Sequence, residues 1–262
     1  PTMELLPLVL VLLAGALATG TEEVALDMAP NAFDDQYRGC SNEMMAELPA
    51  LNRSELATNT IFAKSWAVAA AKWHGQASPG SPLRPGQAMA LLAYTSKSVH
   101  REFNAAVRGA GRSRREYLHG FHFKVLHFLL TEALADLRAA PSHPACLHVY
   151  RGVRGVRFTA QPGQTIRFGQ FTSSSLDREA TKAFGQDTFF EVLTCHGAAI
   201  QDFSFYPEEQ EVLIPPFETF VVTSVTLRGN STLIQLRPHG VHSNYNCEWL
   251  RGDIPGLGTG QG

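Results

Sequence analysis

Tyr206-Pro-Glu-Glu-Gln-Glu-Val-Leu-Ile-Pro-Pro216 is the stretch on which the reading of this chain turns. Val212, Leu213 and Ile214 are β-prone, and the proline pair after them cannot donate to a sheet ladder, so Glu209–Ile214 is expected to form a short strand. Side chains two apart on a strand point to the same face. Glu209 and Glu211 should therefore project together, a costly arrangement of like charges unless a cationic ligand or reaction centre uses it. A solvated acidic patch beside a loop would leave the same trace. The stretches upstream decide between the two.

Leu147-His-Val-Tyr-Arg-Gly152 reads as a strand that ends in an arginine, and Ile166-Arg-Phe-Gly-Gln-Phe-Thr-Ser-Ser-Ser-Leu176 carries a Phe-x-Ser-x-Ser pattern. In chain order, an arginine at a strand end, a Phe-x-Ser-x-Ser strand and a Glu-x-Glu strand resemble the Arg–Ser–Glu-x-Glu triad of the arginine-specific mono-ADP-ribosyltransferases. The resemblance is to the vertebrate ecto-ADP-ribosyltransferases in particular. It is carried further by Phe33-Asp-Asp-Gln-Tyr-Arg-Gly-Cys40, Leu91-Leu-Ala-Tyr-Thr95, Glu102-Phe-Asn-Ala-Ala-Val-Arg108, Phe184-Gly185, Glu211-Val-Leu-Ile-Pro-Pro216 and Tyr245-Asn-Cys247. Together these run from about residue 24 to residue 250.

The resemblance implies an enzyme that cleaves the bond between nicotinamide and ribose in NAD and joins the sugar to a guanidinium nitrogen of an acceptor protein. The transition state of such a step has oxocarbenium character, so a carboxylate beside the anomeric carbon stabilises the developing charge. By resemblance Glu211 is that carboxylate, accepting a hydrogen bond from the nicotinamide-ribose 2′-hydroxyl. Glu209 is expected to position the incoming arginine and help remove its proton. A free guanidinium has a pKa above about 12, so proton loss should accompany attack. Arg151 is the expected anchor for NAD, because its fork of donors suits ribose and phosphate oxygens. Gly152 would let the backbone approach the nicotinamide amide. Ser173 is expected to orient Glu211, and no base in sequence reach would make it a nucleophile. Tyr94 and Ser204 match positions that contact NAD in relatives, and Phe171 reads as either a core ring or a ring facing nicotinamide. Two other readings stand beside transfer to arginine: an NAD glycohydrolase that uses water, and a non-enzymatic secreted binding protein on the same fold. The intact Arg–Ser–Glu-Gln-Glu set speaks against the second.

Periodicity gives the architecture independently. From Ser54, Phe62, Trp66, Ala69 and Trp73 share a helical face until Gly75. The stretch from Gln76 to Gly86 is a Pro/Gly/Ser-rich loop, Leu91 to Tyr94 reads as a short strand, and Glu102 to Arg108 as a helix. Tyr117 to Leu137 is the longest helical signal. After Cys146, strand-like runs follow at Leu147–Tyr150, Thr165–Thr172, Thr188–Thr194, Ala199–Phe205, Glu209–Ile214, Thr219–Leu227 and Ser231–Arg237, separated by turns. A helical half followed by a β-rich half implies α+β, and the resemblance adds that the helices pack on a β-rich core of two sheets.

With 262 residues, 44% of them hydrophobic, the chain can bury a substantial core. Its formal net charge of −2 offers no basic face for nucleic acid. The one basic cluster, from Arg108 to Arg115, reads as a loop and helix start from which one member could meet NAD phosphates. Met3 to Ala18 is an apolar run ending in Ala-Leu-Ala, so residues 1–18 are expected to be a secretory signal peptide, with Pro1 and Thr2 ahead of the start. Residues 19–250 are then the catalytic domain and 251–262 a flexible tail without an apolar stretch, so this form is expected to be secreted without a membrane anchor. Arg251-Gly252-Asp253 is an integrin-type triplet of the kind that arises by chance.

Four cysteines in a secreted chain argue for two disulfides, in any of three pairings. The resemblance selects Cys40–Cys247 and Cys146–Cys195. Asn52 and Asn230 head glycosylation sequons. His119, His122 and His127 have no carboxylate or cysteine at ligand spacing, and no metal is expected. Neither a Gly-x-Gly-x-x-Gly nor a Gly-x-x-x-x-Gly-Lys-Ser/Thr phosphate loop occurs, so NAD would be bound without a Rossmann unit.

Overall fold

The structure is a computed structural model that describes residues 21–73 and 81–251. The expected signal peptide, most of the loop after Trp73, and residues 252–262 with two members of the Arg-Gly-Asp triplet lie outside the described residues. Among the described residues no helix is long and apolar enough to cross a membrane.

A short strand, β1 (Glu22–Ala25), precedes the helices α1 (Ser41–Thr58), α2 (Thr60–Trp73), α3 (Pro85–Thr95), α4 (His100–Ala110), α5 (Arg114–Gly120) and α6 (Lys124–Ala139). Leu91–Tyr94, expected as a strand, is helical. Pro85 opens α3, where its missing N–H costs nothing, and the Gln87 side chain accepts from Arg84 N at 2.7 Å. Nearly every residue of α3 from Gln87 to Thr95 is buried, so no polar face betrays the helical period. The long helix expected over Tyr117–Leu137 is broken: Phe121 is extended and α6 begins at Lys124. Glu55 of α1 caps the new start, its carboxylate accepting from Lys124 N at 2.7 Å and Val125 N at 3.0 Å.

The strands β2 (Leu147–Val153), β3 (Val156–Thr159), β4 (Thr165–Ile166), β5 (Thr172–Ser175), β6 (Thr188–Thr194), β7 (Ala198–Ala199), β8 (Glu211–Ile214), β9 (Glu218–Arg228) and β10 (Ser231–Val241) follow, with a single-turn helix α7 (Arg178–Thr181) after β5. One sheet has eight strands in the order β4-β9-β10-β6-β2-β5-β8-β7, and β1 and β3 form a second sheet of two. In the large sheet β10 runs parallel to β6 and the remaining neighbours are antiparallel. This is the α+β, two-sheet arrangement expected. β8 is buried throughout because both faces are covered. Leu213 joins the helix-side core with Phe103, Phe128 and Phe171. Val212 and Ile214 face the other way, into a core with Phe190, Phe220 and Ile234.

The two ends of the described chain are clasped together. Arg167 and Asp34, both fully buried, pair at 2.5 Å, and Arg167 also donates to the carbonyls of Met28, Ala29 and His242. The Asp34 carboxylate accepts from the backbone N–H of Asn244 and Tyr245. Asp35 next to it accepts from those of Tyr37, Cys247 and Glu248. Cys40–Cys247 and Cys146–Cys195 are both formed, in the pairing implied by the resemblance. His127, fully buried, bonds Tyr37 Oη at 2.8 Å and lies 3.2 Å from the Phe33 carbonyl.

Removing one member of a buried ion pair strands its partner's charge, a loss of about 3–5 kcal/mol. Arg167→Ala is therefore expected to lower the unfolding free energy by that order in urea titration with both disulfides intact. A change of less than about 1 kcal/mol would show that the clasp does not depend on the pair.

Candidate active site

β2 and β5 share one register pair, Tyr150 with Ser175, and the sheet opens beside it. A cleft of about 410 Å³ lies there, walled by α3, α4, the ends of β2 and β5, and the turn before β8. Arg151 follows Tyr150 on β2. On β5 and β8, Ser175 sits opposite Glu211 and Ser173 opposite Leu213. Residues opposite or two apart share a face, so Ser173, Ser175 and Glu211 look toward the helices with Leu213. The cleft brings together Tyr94, Arg151, Gly152, Ser173, Glu209 and Glu211.

Glu209 and Glu211 do not share a strand face. Pro207–Glu209 is one turn of 3-10 helix, Gln210 takes a left-handed conformation at φ 44°, and the strand begins at Glu211. Pro207 presets the turn, and the left-handed residue redirects the chain into the sheet. Ser175 Oγ donates to the Glu209 carbonyl at 2.7 Å, and Leu176 N donates to the Gln210 carbonyl at 3.1 Å. A turn pinned to the end of β5 thus delivers both carboxylates to the cleft.

Their environments differ. Glu211 is 7% exposed, and burial pushes its carboxyl up to about 7. Glu209 adds to that rise, while a hydrogen bond from Ser173 and the charges of Arg151 and Lys97 oppose it. Glu209 stands farther out, its side chain 24% exposed and its Oε1 3.6 Å from Lys97 Nζ. Arg151 Nη1 donates to the Ser173 carbonyl at 2.6 Å. Burial pulls its guanidinium below the ordinary value, and Tyr94 and Glu211 pull the other way. The Tyr94 hydroxyl lies 3.1 Å from the Phe171 carbonyl and 3.3 Å from Ser173 Oγ, and accepts from Asn104 Nδ2 at 3.1 Å. Burial and the nearby Glu211 push its pKa up to about 12, so it stays protonated.

Gly152 is explained by packing. A Cβ there would meet the carbonyl oxygens of Thr181 and Gly185 at 2.4 Å, so the loop after α7 can close over β2 only against a glycine. Phe171 is fully buried and stacked on Phe103 at 5.5 Å, and it also borders the cleft. Ser204 does not reach the cleft lining: its hydroxyl accepts from Tyr206 N at 3.0 Å and shapes the loop leading to Glu209. Other residues given no individual role in the sequence reading also line the cleft. Arg108–Gln170 hydrogen-bonding closes one edge, and Asn104, inside the quoted Glu102–Arg108 stretch, holds Tyr94 while its buried Oδ1 has no hydrogen-bond partner among the described residues. Lys97 and Tyr206 lie too far apart in sequence for any local pattern to join them, yet the ammonium stands 3.6 Å from the ring centroid.

The chain matches the family described as "ART: NAD:arginine ADP-ribosyltransferase" over residues 26–244. It is 38% identical to the eukaryotic mono-ADP-ribosyltransferase ART2.2, whose crystal structure superposes with a TM-score of 0.74 over 86% of this chain and 98% of that one. Mutants of ART2.2 have been crystallised with NADH and with NAD. The fold and cleft are therefore those of a mono-ADP-ribosyltransferase. Among named relatives, NAD(P)(+)--arginine ADP-ribosyltransferase 2 of Gallus gallus is 50% identical, over 95% of this chain and 85% of its own length. GPI-linked NAD(P)(+)--arginine ADP-ribosyltransferase 1 of Mus musculus is 53% identical, over 88% of this chain and 75% of its own length. The chain belongs to the NAD:arginine ADP-ribosyltransferase family.

The raised Glu211 carboxyl links the site to stability. Below about pH 4.5 the group is protonated in both folded and unfolded chains and costs nothing; as pH rises toward 7 the unfolded chain ionises first, and the fold loses stability relative to it. The loss levels off above about 7, at a total on the order of 3 kcal/mol. Glu211→Gln, which cannot ionise, is expected to melt several degrees above the parent at about pH 8, with the gap closing by about pH 4.5. A gap of equal size at both pH values in differential scanning calorimetry would remove the assignment of burial cost to Glu211.

Proposed function

We propose that this protein transfers ADP-ribose from NAD to arginine side chains of acceptor proteins and releases nicotinamide, with Glu211, Glu209, Arg151 and Ser173 as the acting residues. The observation that carries the reading is the pair of carboxylates in one cleft at different depths, the inner one beside Ser173 and Arg151 and the outer one toward solvent. The cleft volume lies within the range of small-molecule sites.

NAD enters with a cationic nicotinamide ring. An opposite charge favours the ionised form of a carboxyl, so the substrate itself drives Glu211 toward the carboxylate that the oxocarbenium-like state needs. Ser173 holds that carboxylate by its hydroxyl, and the neutral Tyr94 holds Ser173. Arg151, fixed to the Ser173 carbonyl, offers its remaining donors to ribose and phosphate oxygens. The open Oδ1 of Asn104 suits an N–H or O–H of the same ligand. As the C–N bond breaks, its electron pair leaves with nicotinamide. A guanidinium nitrogen bonds to the anomeric carbon and gives up one proton to Glu209, the carboxylate at the cleft mouth.

We further propose an extracellular site of action for residues 19–250 acting as one catalytic unit. Two disulfides, the signal-like leader and a sequon at Asn230 support it. Asn230 is exposed at the turn between β9 and β10, a place a glycan can occupy. Asn52 lies within α1 and is only partly exposed, a poorer acceptor.

Glu211→Gln is expected to lower nicotinamide release and transfer to agmatine together by about 10²–10³-fold, the usual cost of losing a preorganised electrostatic group. Retention of near-normal NAD cleavage in the folded variant would refute the role of Glu211. For the parent, release of nicotinamide should rise as pH climbs toward about 7, where Glu211 ionises in the empty cleft, with a lower midpoint once NAD saturates. Glu209→Gln is expected to cut agmatine transfer far more than NAD hydrolysis, because water needs no guanidinium-binding carboxylate. If the ratio of transfer to nicotinamide release is unchanged in that variant, glycohydrolysis is the better reading.

A further inference from the structure

The ammonium of Lys97 stands beside the outer carboxylate of the cleft. Lys97 follows α3 with a left-handed φ of 63°, an uncommon conformation for a residue with a side chain. Its Nζ lies 3.6 Å from the centroid of the Tyr206 ring and 3.6 Å from Glu209 Oε1. A cation held between an aromatic face and a carboxylate makes the contacts that a guanidinium would make in the same place. Both the lysine and the seat are open to solvent, with side chains 53% and 24% exposed for Lys97 and Glu209, so an incoming cation can compete. The loop carrying Tyr206 and Glu209 has other attachments. Phe205 N donates to Thr95 Oγ1 at 3.3 Å, and Lys72 Nζ lies 4.8 Å over the Phe205 ring. Ser175 pins the Glu209 carbonyl from the opposite side. The turn therefore does not hang on Lys97 alone.

We propose that Lys97 is a resident cation in the acceptor seat, a specificity-determining residue that an acceptor arginine must displace from Tyr206 and Glu209 before it attacks. This rests on the reading of Glu209 as the acceptor-side carboxylate. Emptying the seat removes a competitor without removing a contact to the acceptor, so small guanidines gain most.

The test compares the KM for agmatine at saturating NAD, well above the Glu211 midpoint, in the parent, Lys97→Ala and Lys72→Ala. Loss of one exposed cation–π and ion-pair competitor is expected to lower the KM of Lys97→Ala by about fivefold. Lys72→Ala, which loosens the same loop from outside the cleft, should leave it in place. A lysine that only braced the turn would give the opposite result, a raised KM, on removal. The second measurement uses Lys97→Arg with NAD and no acceptor. A guanidinium at position 97 lies within the site and is expected to take up ADP-ribose from NAD: the nicotinamide leaves with the bond's electron pair, a nitrogen of the new side chain bonds to the anomeric carbon, and its proton is lost to Glu209 or solvent. Peptide mass spectrometry should find the modification at position 97, and adding Glu211→Gln should abolish it. A KM that is unchanged or raised in Lys97→Ala, or an unmodified position 97 in Lys97→Arg, overturns the proposal. A parent that transfers nothing to agmatine would instead overturn the function on which the proposal rests.

Discussion

Everything in this fold is referred to one buried ion pair, Arg167 with Asp34. Arg167 lies between β4 and β5, Asp34 in the loop ahead of α1, and the backbone that Asp34 holds belongs to the segment after β10. Three parts of the chain remote in sequence meet at a guanidinium whose remaining donors go to three carbonyls. A buried charge is tolerated only when its partners are complete, so this contact forces those segments into a single arrangement. β5 is set by it directly, because Thr172 starts only five residues beyond Arg167. The position of Ser173, and through it of Glu211, is therefore inherited from a contact outside the cleft.

The same logic of burial runs in the opposite direction in the cleft. The Asp34 carboxylate is satisfied by an arginine and backbone donors. Glu211 has a serine hydroxyl, a neighbouring arginine and a second carboxylate that repels it, and its pKa sits near 7. A residue chosen for stability alone would not remain ionisable there. The tension fits a site waiting for a cation, whose arrival supplies the charge that the protein withholds.

Much of this was legible in the sequence where local pattern and final environment agree. β6 occupies the stretch expected, Thr188–Thr194, because its residues alternate between buried and half-buried positions along its whole length. The strand expected at Leu147–Tyr150 runs on through Arg151 to Val153, whereas Thr165–Thr172 divides into β4 and β5 and Ala199–Phe205 keeps only its first residue as strand. Illegible were elements whose period is hidden by their surroundings. Leu91–Tyr94 resembles a strand because α3 is covered on nearly all sides, leaving no polar face to mark a 3.6-residue repeat. The break between α5 and α6 falls in an apolar run, and the cap that permits it, Glu55, comes from another helix. β1 and β3 are short and pair with each other, so neither carries a strong signal alone. Lys97 and Tyr206 meet only in three dimensions, and Ser204 was carried by a correspondence that its hydrogen bond to Tyr206 turns toward the loop.

The most instructive departure concerns the Glu-x-Glu pair. Adjacent positions on one face of a strand would set both carboxylates at similar depth and in similar surroundings. The 3-10 turn and the left-handed Gln210 separate them instead. Glu211 begins a fully buried strand, whereas Glu209 remains at the mouth beside a lysine and an aromatic ring. Two carboxylates acquire distinct chemistry when their environments differ, and here burial raises the inner one, Glu211. An inner group of low polarity suits the developing charge on a sugar, which is buried with its substrate. An outer group open to solvent suits a guanidinium that arrives on a protein surface and must leave again. The backbone irregularity between them, and not the identity of the residues, is what lets one short stretch of chain offer both.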